Sequence, residues 1–159
     1  MTSLEIEIAL AKSFNPRTNL ILPNAYWGLD FSYELDLLVI NKKSKYATEI
    51  EIKVSKSDLK RDKNKLSGHS SEMIKRLYFA IPESIPEEFA LEHIPERAGL
   101  IAVRQSPIDR IYYTRIIRNA KFNKYAQPVS DKFYLKAAEL AALRIWKLKR
   151  TIMEKKLKE

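Results

Sequence analysis

Glu34-Leu35-Asp36-Leu37-Leu38-Val39-Ile40, then Asn41-Lys42-Lys43-Ser44-Lys45, then Thr48-Glu49-Ile50-Glu51-Ile52-Lys53-Val54: the reading of this 159-residue chain turns on that stretch. Both outer segments are rich in β-branched and aliphatic residues, and the polar residues between them have the composition that reverses a chain. The pattern therefore predicts a β-hairpin. Side chains alternate across a strand, so Ile50, Ile52 and Val54 take one face of the second arm and Glu49, Glu51 and Lys53 the other. On the first arm Asp36 interrupts an apolar run, where a carboxylate has to be desolvated or held by a partner. A hairpin can bring Asp36, Glu51 and Lys53 to one end of a sheet. Two readings fit: a solvated sheet face of alternating Glu and Lys, or a site for a hard divalent cation. Mg²⁺ takes oxygen ligands at about 2.0–2.1 Å and keeps several waters. Asp36 and Glu51 would supply its carboxylates and the Ile52 backbone carbonyl a neutral ligand, while Lys53 would aim its ammonium at a substrate phosphate or attacking water.

The N-terminus reads as an amphipathic helix from Leu4 to Phe14. At about 100° per residue, Leu4, Ile6, Ile8, Leu10, Ala11 and Phe14 form a broad apolar arc, with Glu5 and Lys12 opposite. Glu7 falls inside that arc. It is either an edge residue reaching water or a third acid reaching over the sheet toward Asp36 and Glu51.

The runs Glu34-x-Asp36-Leu-Leu-Val-Ile, Ala47-Thr-Glu-Ile-Glu51-Ile-Lys53-Val-Ser-Lys-Ser-Asp58-Leu, Arg76-Leu-Tyr-Phe-Ala-Ile-Pro82 and Ile94-Pro-x-x-Ala-Gly99-Leu-Ile together resemble the MmcB-type DNA repair endonucleases of the PD-(D/E)XK nuclease superfamily, and small phage and bacterial proteins of similar layout. The resemblance implies an α/β fold with a restriction-endonuclease-like core: a central mixed β-sheet flanked by helices, with the acids on two adjacent strands. It maps the motif's Asp onto Asp36, its D/E onto Glu51 and its Lys onto Lys53, and more loosely a helix acid onto Glu7. Leu35 stands where the motif's name has Pro, which removes no ligand.

Composition is consistent with one domain. There are no cysteines, hence no disulfide framework and no thiolate metal site. Glu5 and Glu7 interrupt any signal-peptide core, and no apolar run is long enough to cross a bilayer, so the expectation is a cytoplasmic protein without a membrane partner. A net charge of +9 points to a polyanionic partner. With only Gly28, Gly68 and Gly99 present, the usual Gly-rich phosphate loops are excluded.

In chain order, Asn15-Pro16 marks the end of the first helix, Thr18 to Leu22 a strand broken by Pro23-Asn24, and Phe31 to Tyr33 an extension of the hairpin's first arm. Trp27 is a packing residue or a stacking platform. Ser55 or Ser57 caps a helix whose cations, Lys56, Lys60, Arg61, Lys63 and Lys65, form either a solvated face or a track for phosphates. His69 is a loop histidine that could meet a phosphate. Apolar runs at Arg76–Pro82 and Ala98–Arg104 read as buried strands around a short helix, and Ile108 to Ile117 as a further strand. Residues 1–129 form the core, and residues 130–159 a long basic C-terminal helix with Ser130-Asp131 at its cap. Ala137, Leu140, Ala141, Arg144, Ile145 and Leu148 would be its packing side. Lys147, Lys149 and Arg150 offer that helix a second patch for nucleic acid, and a homodimer seam is the alternative use.

These readings converge on a Mg²⁺- or Mn²⁺-dependent nuclease acting on DNA, or on RNA, in repair, recombination or phage DNA metabolism. The alternatives are a catalytically inactive nucleic-acid-binding module on the same fold, or an adaptor or inhibitor binding a host protein.

Overall fold

The computed structural model describes residues 1–26, 28–29, 31–63 and 72–156, with the side chains of Asp62 and Lys63 outside that description. Trp27, Lys65 and His69 lie outside the described residues. Strands β1 Asn19–Ala25, β2 Leu35–Asn41, β3 Ala47–Ile52, β4 Ile74–Pro82, β5 Gly99–Gln105 and β6 Tyr112–Arg118 form one sheet in chain order. Helices α1 Ser3–Ser13, α2 Lys56–Lys63, α3 Glu87–His93 and α4 Asp131–Lys156 flank it.

The hairpin forms as its composition requires. β2 and β3 are antiparallel, with Leu37 opposite Ile50 and Leu38 opposite Glu49. Asn41 Oδ1 accepts from the backbone amides of Lys43 and Ser44, an Asx-type turn that fixes the reversal. β3, β4 and β5 then run parallel, joined through α2 and α3, which makes the sheet mixed.

Both crossover helices lie on one face, where Leu59 of α2 and Ala90 of α3 pack with Leu77, Phe79 and Leu100. The start of α4 covers the same face nearer β1 and β2, where Phe133 and Ala137 meet Leu22, Leu38 and Ile40. α1 covers the other face, seating Ile6, Ala9 and Leu10 on Leu37, Val39, Ile50 and Ile52. With both faces covered, β3 is buried along its whole length, and a solvated Glu/Lys face is ruled out.

Several local expectations are corrected. α1 buries a narrower arc than its periodicity suggests, because Leu4 and Ile8 are 63% and 58% exposed. Glu5, expected to face water, closes a capping box with Thr2 and accepts the Tyr112 hydroxyl at 2.5 Å. Pro23-Asn24 does not break β1, since β1 is an edge strand and a proline there forfeits no ladder bond the fold needs. Phe31 to Tyr33 bend rather than extend β2, freeing Tyr33 to turn toward β3. β6 begins only at Tyr112, with Ile108 almost fully exposed in the preceding turn.

α4 is capped as expected, Ser130 Oγ accepting the Phe133 amide at 3.1 Å. Only its first half packs. Leu140 and Ala141 still touch the core, but Ile145 and Leu148 are 56% and 61% exposed because the helix outruns the sheet. Among the described residues no helix is long and apolar enough to cross a membrane.

Candidate functional site

β3 and the residue that follows it place three ionisable side chains in a row, and the layers on both sides bury all of them. Glu49, Glu51 and Lys53 are 0%, 6% and 6% exposed. Alternation puts Glu49 and Glu51 on the face shared by α4, α2 and α3, since Glu49 lies between Leu38 and Leu77 and Glu51 beside Phe79. One step beyond the Leu37–Ile50 pair, the same register sets Asp36 across from Glu51. The Asp36 carboxylate is pinned there, accepting the Ile52 backbone amide through Oδ2 at 2.8 Å.

Lys53 donates its ammonium to Glu51 Oε2 at 3.0 Å. Glu51 Oε1 is buried with no hydrogen-bond partner among the described residues. An unsatisfied buried acceptor costs about 1–3 kcal/mol. Burial pushes the Glu51 carboxyl up to about 7, the Asp36 charge adds to that rise, and the Lys53 ammonium opposes it. A fold left to optimise stability alone would fill this position with an apolar side chain. A desolvated acid beside a like charge and a lysine is what a reactive site requires.

Glu7 reaches the same end of the sheet from α1. It is half-buried, and its carboxyl is raised first by burial and then by Asp36, while Arg144 of α4 works in the opposite direction. Arg144 itself donates through Nη2 to the Asn24 carbonyl at 2.5 Å, which fixes α4 to the end of β1. The structure thus brings Asp36, Glu51 and Lys53 together and leaves Glu7 at their margin. Among the described residues no three acids gather closely enough to enclose a metal ion. The donor set nevertheless suits Mg²⁺, which needs only one or two protein carboxylates beside water and phosphate oxygens, and the orphaned Glu51 Oε1 is a ready oxygen ligand.

The expected cations fall in two groups. Lys56, Lys60 and Arg61 follow Lys53 directly on α2, capped by Ser55 Oγ, which accepts the Asp58 amide at 3.2 Å. Lys56 and Lys60 lie over the Phe89 ring of α3 at 5.1 and 5.6 Å, and Arg61 meets Asp58 at 3.4 Å. All three remain exposed. Lys147, Lys149 and Arg150 are exposed on the free half of α4, starting within a turn of Arg144.

Three residues near the site carry no role in the sequence reading. Glu49 accepts the Tyr33 hydroxyl at 3.0 Å. Burial and the Glu49 charge push the Tyr33 phenol well above its ordinary value, so it stays a donor. Arg144 reads in sequence as part of an apolar stripe. Only the alternation that groups Glu49 with Glu51 hinted at the first; no local signal marks Tyr33 or Arg144.

The family described as DNA repair protein MmcB-like matches residues 29–152. Among curated proteins none matches. The SPO1766 protein of unknown function from Silicibacter pomeroyi is similar in structure, with a TM-score of 0.67 and 21% identity over 94% of this chain and 92% of that one. SfsA from Pyrococcus furiosus, solved with Ca²⁺, aligns at a TM-score of 0.30 and 11% identity over 72% of this chain and 61% of its own, below what a shared fold requires.

Proposed function

Because this chain belongs to the MmcB-like family of DNA repair proteins, we propose that it is a metal-dependent nuclease of the PD-(D/E)XK type that hydrolyses phosphodiester bonds of DNA. The observation that carries the reading is Glu51: a buried carboxylate with one oxygen on Lys53 and the other unpartnered among the described residues, facing Asp36 across the hairpin. An acid held at such cost, with its lysine already aimed, supports chemistry over structure.

In this reading Asp36 and Glu51 would hold Mg²⁺ or Mn²⁺, with the Ile52 carbonyl as a further oxygen and Glu7 outside the ligand set at the margin of the site. The ion supplies Lewis-acid charge at the scissile phosphate when bound. The protein's own part is positional. The Ile52 amide fixes the Asp36 carboxylate, and Lys53 orients the attacking water or offsets charge that develops on the phosphate. Lys56, Lys60 and Arg61 contact the phosphates beside the cut, and Lys147, Lys149 and Arg150 extend that track.

The test is cleavage of labelled single-stranded, duplex and branched DNA with Mg²⁺, Mn²⁺ or EDTA, with Asp36→Ala and Lys53→Ala beside the parent. Metal-dependent cutting that both variants lose supports the assignment. Cutting by Asp36→Ala at the parent's rate would sink it. The closed Lys53–Glu51 pair also suits a second reading, a nucleic-acid-binding module without cleavage. DNA binding without cutting by parent and variants alike would put that reading first.

A further inference from the structure

On the sheet face opposite Glu49 and Glu51, a cavity of about 450 Å³ opens beyond the C-terminus of α1, lined by Phe14, Val39, Tyr46, Thr48, Lys75 and Arg76 with Phe122 at its rim. A β-bulge builds its basic wall. Ala47 pairs with Ile74 and Thr48 with Arg76, so Lys75 is the extra residue, and two successive cations reach one cavity where a regular strand would send them to opposite faces. The aromatic wall is fixed by Asn123, whose backbone amide donates to the Lys75 carbonyl at 2.9 Å and whose Nδ2 donates to the Ile74 carbonyl at 3.3 Å, holding Phe122 over the bulge.

The contents alternate cation and ring. Lys75 Nζ lies 4.7 Å from the Tyr46 ring and 5.9 Å from that of Phe122, and the Arg76 guanidinium carbon lies 4.7 Å from the Phe122 ring. No carboxylate lines the cavity among the described residues. Phe122 is 58% exposed, a large ring held at the surface with no core to enter. At exposed positions a cation over a ring is a weak contact, readily exchanged for a planar ring on the aromatic and an oxyanion on the cation. A planar base joined to a phosphate satisfies both walls together.

We propose that this cavity binds an unpaired nucleotide of a nucleic-acid strand, with its base against Phe122 and Tyr46 and its phosphates on Lys75 and Arg76. The Asn19 and Asn41 side chains that line it are already engaged, Asn19 Nδ2 donating to the Phe14 carbonyl, Asn41 Nδ2 donating to Asn19 Oδ1 across the β1–β2 pair and Asn41 Oδ1 accepting the Ser44 amide, so the cavity reads little of the base's edge and tolerates any base. The site is separate from the acids, on the opposite face, and does not rest on cleavage.

The experiment measures binding of fluorescein-labelled single-stranded oligothymidylate and of a duplex of equal length to the full chain in EDTA. Phe122→Ala weakens the single strand at least about fivefold, the equivalent of one lost base–ring stack, and leaves duplex binding within about twofold of the parent. The Lys75→Ala, Arg76→Ala double variant flattens the slope of log affinity against log salt for the single strand by roughly 1.4, two phosphates at 0.7 each. Photo-crosslinking of 5-iodouracil-substituted strand to the parent, mapped by mass spectrometry, places crosslinks at Tyr46 or Phe122. An unchanged single-strand affinity and slope, or crosslinks confined to α2 and α4, overturns the proposal. So does a mononucleotide that binds as tightly as the strand, since the cavity would then serve a free nucleotide.

Discussion

Replacing Glu51 by Gln removes a charge that the fold holds at a cost, and the cost can be followed through pH. Burial and Asp36 raise this carboxyl from an ordinary 4.5 to about 7, so the native state binds the proton more tightly than the unfolded chain does. The sign follows. The group's stabilising contribution is complete below about pH 4.5 and is lost as pH rises through about 7. At 1.36 kcal/mol per pH unit the raised value amounts to about 3 kcal/mol, roughly 6–12 °C in Tm for a chain of this size. Thermal unfolding in EDTA from pH 4 to pH 8 should therefore show the parent losing about 3 kcal/mol more than Glu51→Gln, whose amide does not titrate. The absolute stability of the variant also reflects Lys53, left beside an amide; the difference in pH slope does not. Parallel curves for the two proteins would refute the reasoning, because they would mean that Glu51 is not held protonated by its surroundings. Adding Mg²⁺ at pH 8 should raise the parent's Tm and leave that of Glu51→Gln nearly unmoved, since an ion that binds only the native state stabilises by mass action.

Gly99→Ala should destabilise by about 1–3 kcal/mol or more in a denaturant titration, because the added methyl would stand 2.2 Å from Cε1 of the buried Tyr78 ring and 2.7 Å from the Ala120 amide. A chain ending at Arg144 should keep its free energy of unfolding within about 0.5 kcal/mol of the parent, as residues 145–156 are all exposed, while its affinity for DNA falls and becomes less salt-dependent. A chain ending at Ser130 should fail to fold, since Phe133 and Ala137 fill the core beneath α4; the two truncations are told apart by circular dichroism. Lys56→Ala with Lys60→Ala should weaken duplex binding and flatten its salt slope by roughly 1.8, at about 0.9 per phosphate, without changing which substrate is preferred.

The elements of this protein are local events, and its sequence alone determined most of them. The hairpin is written in two β-branched arms around Asn41 to Lys45, α4 in its Ser130 cap and 3.6-residue period, and the buried parallel strands in two short apolar runs. The neighbours Asp36, Glu51 and Lys53 follow from strand alternation and a five-residue turn, so their meeting was legible too. Burial was not. Alternating Glu and Lys looks the same on a solvated face as on one roofed by α2, α3 and α4, because periodicity records direction and says nothing of what lies there. Tyr33 meets Glu49, and Arg144 the Asn24 carbonyl, from segments distant in sequence, and the bulge that sends Lys75 and Arg76 into one cavity depends on pairing between β3 and β4. Only the tertiary structure decided where α4 leaves the core, since its apolar stripe continues past the last residue of the sheet that could cover it. It also left Glu51 Oε1 without a partner among the described residues: a single unsatisfied atom depends on every group around it, and no local pattern of residues encodes that.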